Sequence, residues 1–155
     1  MTAAPARVAA RVRLFQMLDN ALTGVEVSYS EPSMIERQSV WLGTVEGQMS
    51  PGPLKAGRKR RYDEFSITVH CFAVNPGESD AQAADAAVAD LFSAVDDVVA
   101  NSANLAVDGN GLPGLTGAYL TTVDGPNPGP YMVGEQAAGY GSELIARVFF
   151  QTYLS

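Results

Sequence analysis

Few residues in this chain have the type and spacing for chemistry. The clearest letters are Gly109-Asn110-Gly111-Leu112-Pro113-Gly114, which match G-x-G-x-x-G. A dinucleotide site needs that pattern to leave a strand and open a helix, so that the helix N-terminus meets the pyrophosphate. Here the pattern follows a helical stretch, contains Pro113 and precedes a strand-like stretch, which predicts a plain turn. His70 is the single histidine. Without a partner it is a poor general base, and alone it builds no multi-histidine metal site. Cys71 is the single cysteine and lies on the apolar side of an alternating run, which predicts a small buried hydrophobe rather than a nucleophile. The carboxylate pairs Asp63-Glu64 and Asp96-Asp97 are adjacent in sequence, so their side chains diverge and form no acid/base dyad. Ser102 and Ser142 lack a nucleophile-elbow context. The expectation is no catalytic residue, no cofactor and no metal.

The element that organises the chain is Arg61–Ala103. Phe65, Ile67, Val69, Cys71 and Ala73 alternate with Ser66, Thr68 and His70, a period of two that predicts a strand with one apolar face. Asn75-Pro76-Gly77 ends it. Ser79 or Asp80 then caps a helix with an apolar stripe of Ala84, Val88, Leu91, Phe92, Val95, Val98 and Val99.

Upstream, Pro5 suits a helix start, and Val8, Val12, Phe15, Leu18 and Leu22 recur at helical spacing up to Gly24, a left-handed cap. Arg7, Arg11 and Arg13 lie off that stripe. They read either as a solvated face or as a contact with an acidic neighbour. Val25–Tyr29 and Gln38–Glu46 predict two short strands, and Thr116–Val123 and Ser142–Leu154 two more. In the last, Leu144, Ala146, Val148, Phe150 and Leu154 face one way. The stretches 47–61 and 124–141 are rich in glycine and proline and predict long loops, the first at the tip of a hairpin. The order α-β-β-β-α-β-β with hairpin-like links predicts one α+β domain over 1–155, with a mainly antiparallel sheet of about five strands and two helices on one face.

Charge narrows the function classes. The chain of 155 residues carries a net charge of −7, the opposite of a nonspecific nucleic-acid binder. One cysteine allows no internal disulfide, which points to a reducing compartment. No apolar run reaches membrane-span length, and the acid-free start MTAAPARVAARVRLF runs on into a helix of globular type, which predicts mature structure of a cytosolic protein rather than a transit peptide. Five of the ten Lys and Arg residues fall within 55–61: Lys55, Arg58, Lys59, Arg60 and Arg61. Such a cluster is either solvated and mobile or reaches an acidic partner or an adjacent subunit.

Taken in order, the opening helix with VEVSYSEP, the strand VWLGTVEG, the run RYDEFSITVHCFAVNPGES, the Ala/Asp-rich helix and the closing ELIARVFFQTYLS resemble the tail terminator proteins of long-tailed bacteriophages, particularly those of actinobacterial hosts. The resemblance covers nearly the whole chain by pattern and order, with no signature residue to carry over one by one. It implies a structural virion protein at the head-proximal end of the tail, assembled in the host cytoplasm. It implies a homo-hexameric ring that caps the tail tube, fixes tail length and presents a docking surface for head-completion proteins. Partners would be further copies of itself, the tail tube protein and a head-completion protein, with no membrane. Genome DNA would pass through the ring without specific binding, and an acidic channel lining, with Asp80, Asp85 and Asp90 as candidates, would keep it from sticking. Two other readings stand beside this one: a different head-to-tail connector, an adaptor or stopper, and a small-molecule-binding α+β module with a pocket under 124–141.

Overall fold

The alternating run around Ile67 forms the centre of the sheet, because its in-pointing side chains are all apolar and its neighbours on both sides alternate in phase with it. The computed structural model describes residues 3–33, 35, 38–55, 58–76, 80–100, 115–133 and 135–154. In chain order these form α1 (Ala3–Ala21), β1 (Glu26–Ser28), β2 (Ser39–Lys55), β3 (Arg58–Pro76), α2 (Ala81–Ala100), β4 (Leu115–Val133) and β5 (Gln136–Leu154). The predicted order α-β-β-β-α-β-β and the α+β class are what the structure has. The strands make one five-stranded sheet ordered β1-β2-β3-β5-β4. Three pairings are antiparallel, and the short β1 lies parallel to β2.

Register explains the core. Val40, Cys71 and Leu144 form one row across the sheet, and Leu42, Val69 and Ala146 the next. Ile67 lies opposite Val148, and Phe65 opposite Phe150, with the two rings stacked 5.2 Å apart. All of these residues are buried under the two helices. From α2 come Ala84, Val88, Leu91, Val95 and Val99, the stripe that periodicity predicts. Asp80 is the cap: its Oδ1 accepts the Gln82 backbone N–H at 2.9 Å. Gly24 takes the left-handed conformation (φ 77°) just past α1, where an L side chain would be strained.

Two expectations are corrected. The first concerns the loops. Residues 47–55 and 58–61 are strand, as are 124–133 and 136–141. Glycine and proline do not break these strands because the pairing tolerates them there. β4 is an edge strand, so the missing N–H of Pro126, Pro128 and Pro130 need not interrupt an interior ladder. Register shifts between Pro51 and Leu54, between Asp124 and Asn127, and between Pro130 and Met132 absorb the irregular spacing. The second concerns α1. Its buried row is Ala10, Leu14, Leu18 and Leu22, whereas Val8 is 57% and Val12 37% exposed. The cause is polar and is described below.

The long pairings project beyond the core. β5 ends at Leu154 opposite Arg61, so past that point β2 and β3 continue as a two-stranded ribbon through Leu54–Lys59 and Lys55–Arg58. β3 ends at Pro76 opposite Gly139, and β4 and β5 continue past it through Met132–Ala137 and Val133–Gln136. Because β3 and β5 are antiparallel, the two ribbons leave the sheet at opposite ends.

Cys71 is fully buried, and burial pushes its thiol from the ordinary 9.0 up to about 12. Between those values the unfolded thiol ionises and the folded one stays neutral. The contribution of Cys71 to the fold is therefore complete below pH 9 and is lost as pH rises toward 12. Denaturant titrations at stepped pH should show stability falling above that point by up to about 1.4 kcal/mol per pH unit relative to Cys71→Ala. Equal slopes in parent and variant would contradict this burial.

Candidate functional site

Arg7 and Arg11 set the orientation of α1. Asp63 lies on the helix-covered face of β3, fully buried. Arg7 reaches it with two charge-assisted hydrogen bonds, Nε to Oδ2 and Nη2 to Oδ1, each 2.7 Å. The guanidinium also sits 5.7 Å from the Phe65 ring centre. Hydrogen bonding to Asp63, above all, raises the Arg7 pKa; partial burial opposes this and the charge of Asp63 adds to it. Arg11 donates from Nη1 to the Gly43 carbonyl at 2.6 Å and from Nη2 to the Tyr29 carbonyl at 2.9 Å. Gly43 lies where the β2–β3 register shifts between Leu42 and Val45, so its carbonyl is a site the ladder leaves to other donors. The acid-contact reading of the basic helix face therefore holds for Arg7. These two anchors turn the Arg7, Ala10, Arg11, Leu14 row toward the sheet and leave Val8 and Val12 outward.

The sheet face opposite the helices carries Trp41, Thr68, His70, Phe72, Glu143, Ile145, Arg147 and Phe149, by the same alternation that buries their neighbours. His70 stacks on Trp41 at 5.2 Å and nearly parallel, and its Nδ1 lies 3.0 Å from Glu143 Oε1. A groove of about 550 Å³ runs along this face past Arg11, Ile35, Trp41, His70, Phe72 and Glu143. The Tyr131 hydroxyl donates to the Ile35 carbonyl. A smaller concavity of about 200 Å³, lined in part by Asp124, Asn127 and Pro128, adjoins it at Phe72 and Glu143. This is where a pocket under 124–141 is expected, and it is small for a ligand site. Three polar side chains of the larger groove are engaged: His70 and Glu143 with each other, and Arg11 with main-chain carbonyls. His70 thus sits in a stacked, hydrogen-bonded cluster with Trp41 and Glu143. Among the described residues no three His, Cys, Asp or Glu side chains gather to hold a metal, and no helix is long and apolar enough to cross a membrane.

The candidate acidic lining does not form one surface. Positions 80, 85 and 90 advance five residues each, about 140° around a helix, so they point in three directions. Asp80 is the cap of α2, and Asp85 accepts the Ser142 hydroxyl at 2.7 Å. Asp90 is exposed, as are Asp96 and Asp97 in the last turns of the helix. Acids at a helix C-terminus oppose the macrodipole, at about 0.3–1 kcal/mol each. The pair Asp63-Glu64 diverges as spacing predicts: Asp63 is buried, and the exposed Glu64 accepts from Gln151 Nε2 at 3.2 Å. The basic residues take a different setting from the loop expected. Lys55 ends β2 and Arg58–Arg61 open β3, so the cluster lies on the paired ribbon beyond the sheet. The G-x-G-x-x-G stretch, Ser79 and Ser102 lie outside the described residues.

Sequence reasoning missed the Arg7–Asp63 pair. A signal was present: Asp63 falls in phase with Phe65, Ile67 and Val69, on the apolar face, where a lone acid needs a cation. No family model matches the chain, and no curated protein matches its sequence.

Replacing Arg7 with methionine should destabilise the fold by about 3 kcal/mol, the low end for a broken buried pair because Arg7 keeps some contact with water. Adding Asp63→Leu should recover most of the loss, since no buried charge then remains. Urea midpoints of parent, single and double variants measure both effects.

Proposed function

We propose that this chain is a structural virion protein of the tail terminator kind. Copies join in a ring, a homo-hexamer, at the head-proximal end of a phage tail. The ring caps the tail tube, limits its length and offers a surface to head-completion proteins, while DNA passes without specific binding. The observation that carries the reading is the pair of ribbons leaving opposite ends of one sheet. A closed ring needs two different surfaces per subunit for its head-to-tail contacts, and further surfaces for partners above and below. This fold supplies them: a ribbon at each end, a β4 edge and a sheet face without helices. The order of elements, on which the resemblance rests, adds to this. The net charge of −7 suits a channel that must not retain DNA. A small-molecule-binding module is a second reading, supported by the groove beside Trp41 and His70.

Negative-stain microscopy and light scattering of the full chain, alone and with tail tubes, test the proposal. Rings of one diameter, or tube ends closed by this protein, are expected. A monomer that leaves tubes uncapped, and whose melting temperature rises with a small ligand, would favour the groove instead. Replacing Arg58, Lys59 and Arg60 with serine should leave the melting temperature nearly unchanged and weaken ring formation or capping, most at low salt. Tubes capped equally well by this variant at low salt would make the cluster passive. Duplex DNA should not bind the parent tightly in a salt-sensitive way.

A further inference from the structure

Charge in this chain is segregated along the sequence and then again in space. Half of the ten Lys and Arg residues lie in 55–61, and none lies between Tyr62 and Ala146, a stretch that holds 12 of the 17 acids. The fold places Lys55 and Arg58–Arg60 on the β2–β3 ribbon past the end of β5, and Arg61 in the last row that β5 pairs. It places Asp90, Asp96 and Asp97 on the outer face of α2, with Ala86, Ala89 and Ser93 exposed between them. Among the described residues, none of these three aspartates pairs with a cation. Each surface lacks something. Among the described residues no third strand pairs with the β2–β3 ribbon past Leu154, and a two-stranded ribbon is marginal in water. The α2 face holds three like charges, two of them, Asp96 and Asp97, at the wrong end of a helix dipole.

The two surfaces of one molecule do not meet. α2 packs over β3, β5 and β4, whereas the ribbon continues along the strand axis beyond Arg61. We propose that the basic β2–β3 ribbon of one copy lies across the acidic outer face of α2 of a second copy, in a head-to-tail contact. The contact rests on the ring reading above, in that it supplies the ring's subunit interface. The small side chains at 86, 89 and 93 let a flat ribbon approach the helix closely, and the flanking aspartates meet its cations. Because the two patches differ and do not overlap, each copy uses both at once.

Charge reversal in the full chain tests this. One variant carries Arg58→Glu, Lys59→Glu and Arg60→Glu; the other carries Asp90→Lys, Asp96→Lys and Asp97→Lys. Sedimentation equilibrium at low and high salt should show each variant alone self-associating at least about tenfold more weakly than the parent. An equimolar mixture should associate again, since reversed patches match each other. A mixture that fails to associate, a variant that associates like the parent, or a parent monomeric at low salt overturns the contact. Rings and capped tubes formed by both variants overturn the contact and leave the ring reading standing. Restored association in mixtures without closed rings upholds the contact and removes the ring reading. If a reversed variant is unfolded by circular dichroism, neutral versions replace it: Arg58→Ser, Lys59→Ser, Arg60→Ser and Asp90→Asn, Asp96→Asn, Asp97→Asn. Combining the two neutral sets should then cost less than the sum of the separate losses, whereas strict additivity overturns the contact. Salt-sensitive binding of random duplex DNA, abolished by the ribbon variant, would make nucleic acid the partner and overturn the proposal.

Discussion

A single buried carboxylate governs how the first helix meets the sheet. Asp63 occupies an apolar row, between the helices and the strands, where a bare charge is costly. Arg7 meets it there, through a fork of two hydrogen bonds that fixes both distance and orientation. Once Arg7 is fixed, one turn later Arg11 falls over the carbonyls of the β2 irregularity, and Leu14 and Leu18 fall into the core. The outward position of Val8 and Val12 follows. The pair is therefore better understood as a device for orientation than as a source of stability, since buried ion pairs contribute little net free energy.

The same sheet separates a storage side from a contact side. The helix-covered face holds the apolar mass of the molecule. The opposite face carries Trp41, His70, Phe72, Ile145 and Phe149 beside Glu143 and Arg147, and the β4 edge and the two ribbons extend past the core as paired main chain.

Periodicity reveals what burial enforces. The central strand, the closing strand and α2 are legible because each must present an unbroken apolar face: Ile67, Val69 and Cys71 in one, Val88, Leu91 and Val95 in another. The ribbons are not legible. Pro51, Gly52 and Pro53, or Pro126 to Pro130, carry no alternation and resemble a loop in composition. What holds them is pairing between main chains, which leaves little mark on side-chain type. For α1 the apolar count misleads because two of its inward positions are arginines. The candidate surfaces show the same limit. The basic cluster is evident in the letters, but its setting on a ribbon, and the separate directions of Asp80, Asp85 and Asp90, depend on geometry that spacing alone conveys only once the helix bounds are known.

The strands have a mechanical consequence. A 19-residue strand such as β3 spans about 60 Å. In antiparallel pairing the hydrogen bonds lie across the strand axis. Tension along that axis loads every rung of the β3–β5 ladder together, from Arg61–Leu154 to Pro76–Gly139, whereas a pull at right angles would open them one at a time. The molecule is stiff in one direction and weak in another. A part gripped by its two opposite ends is loaded along its strong axis.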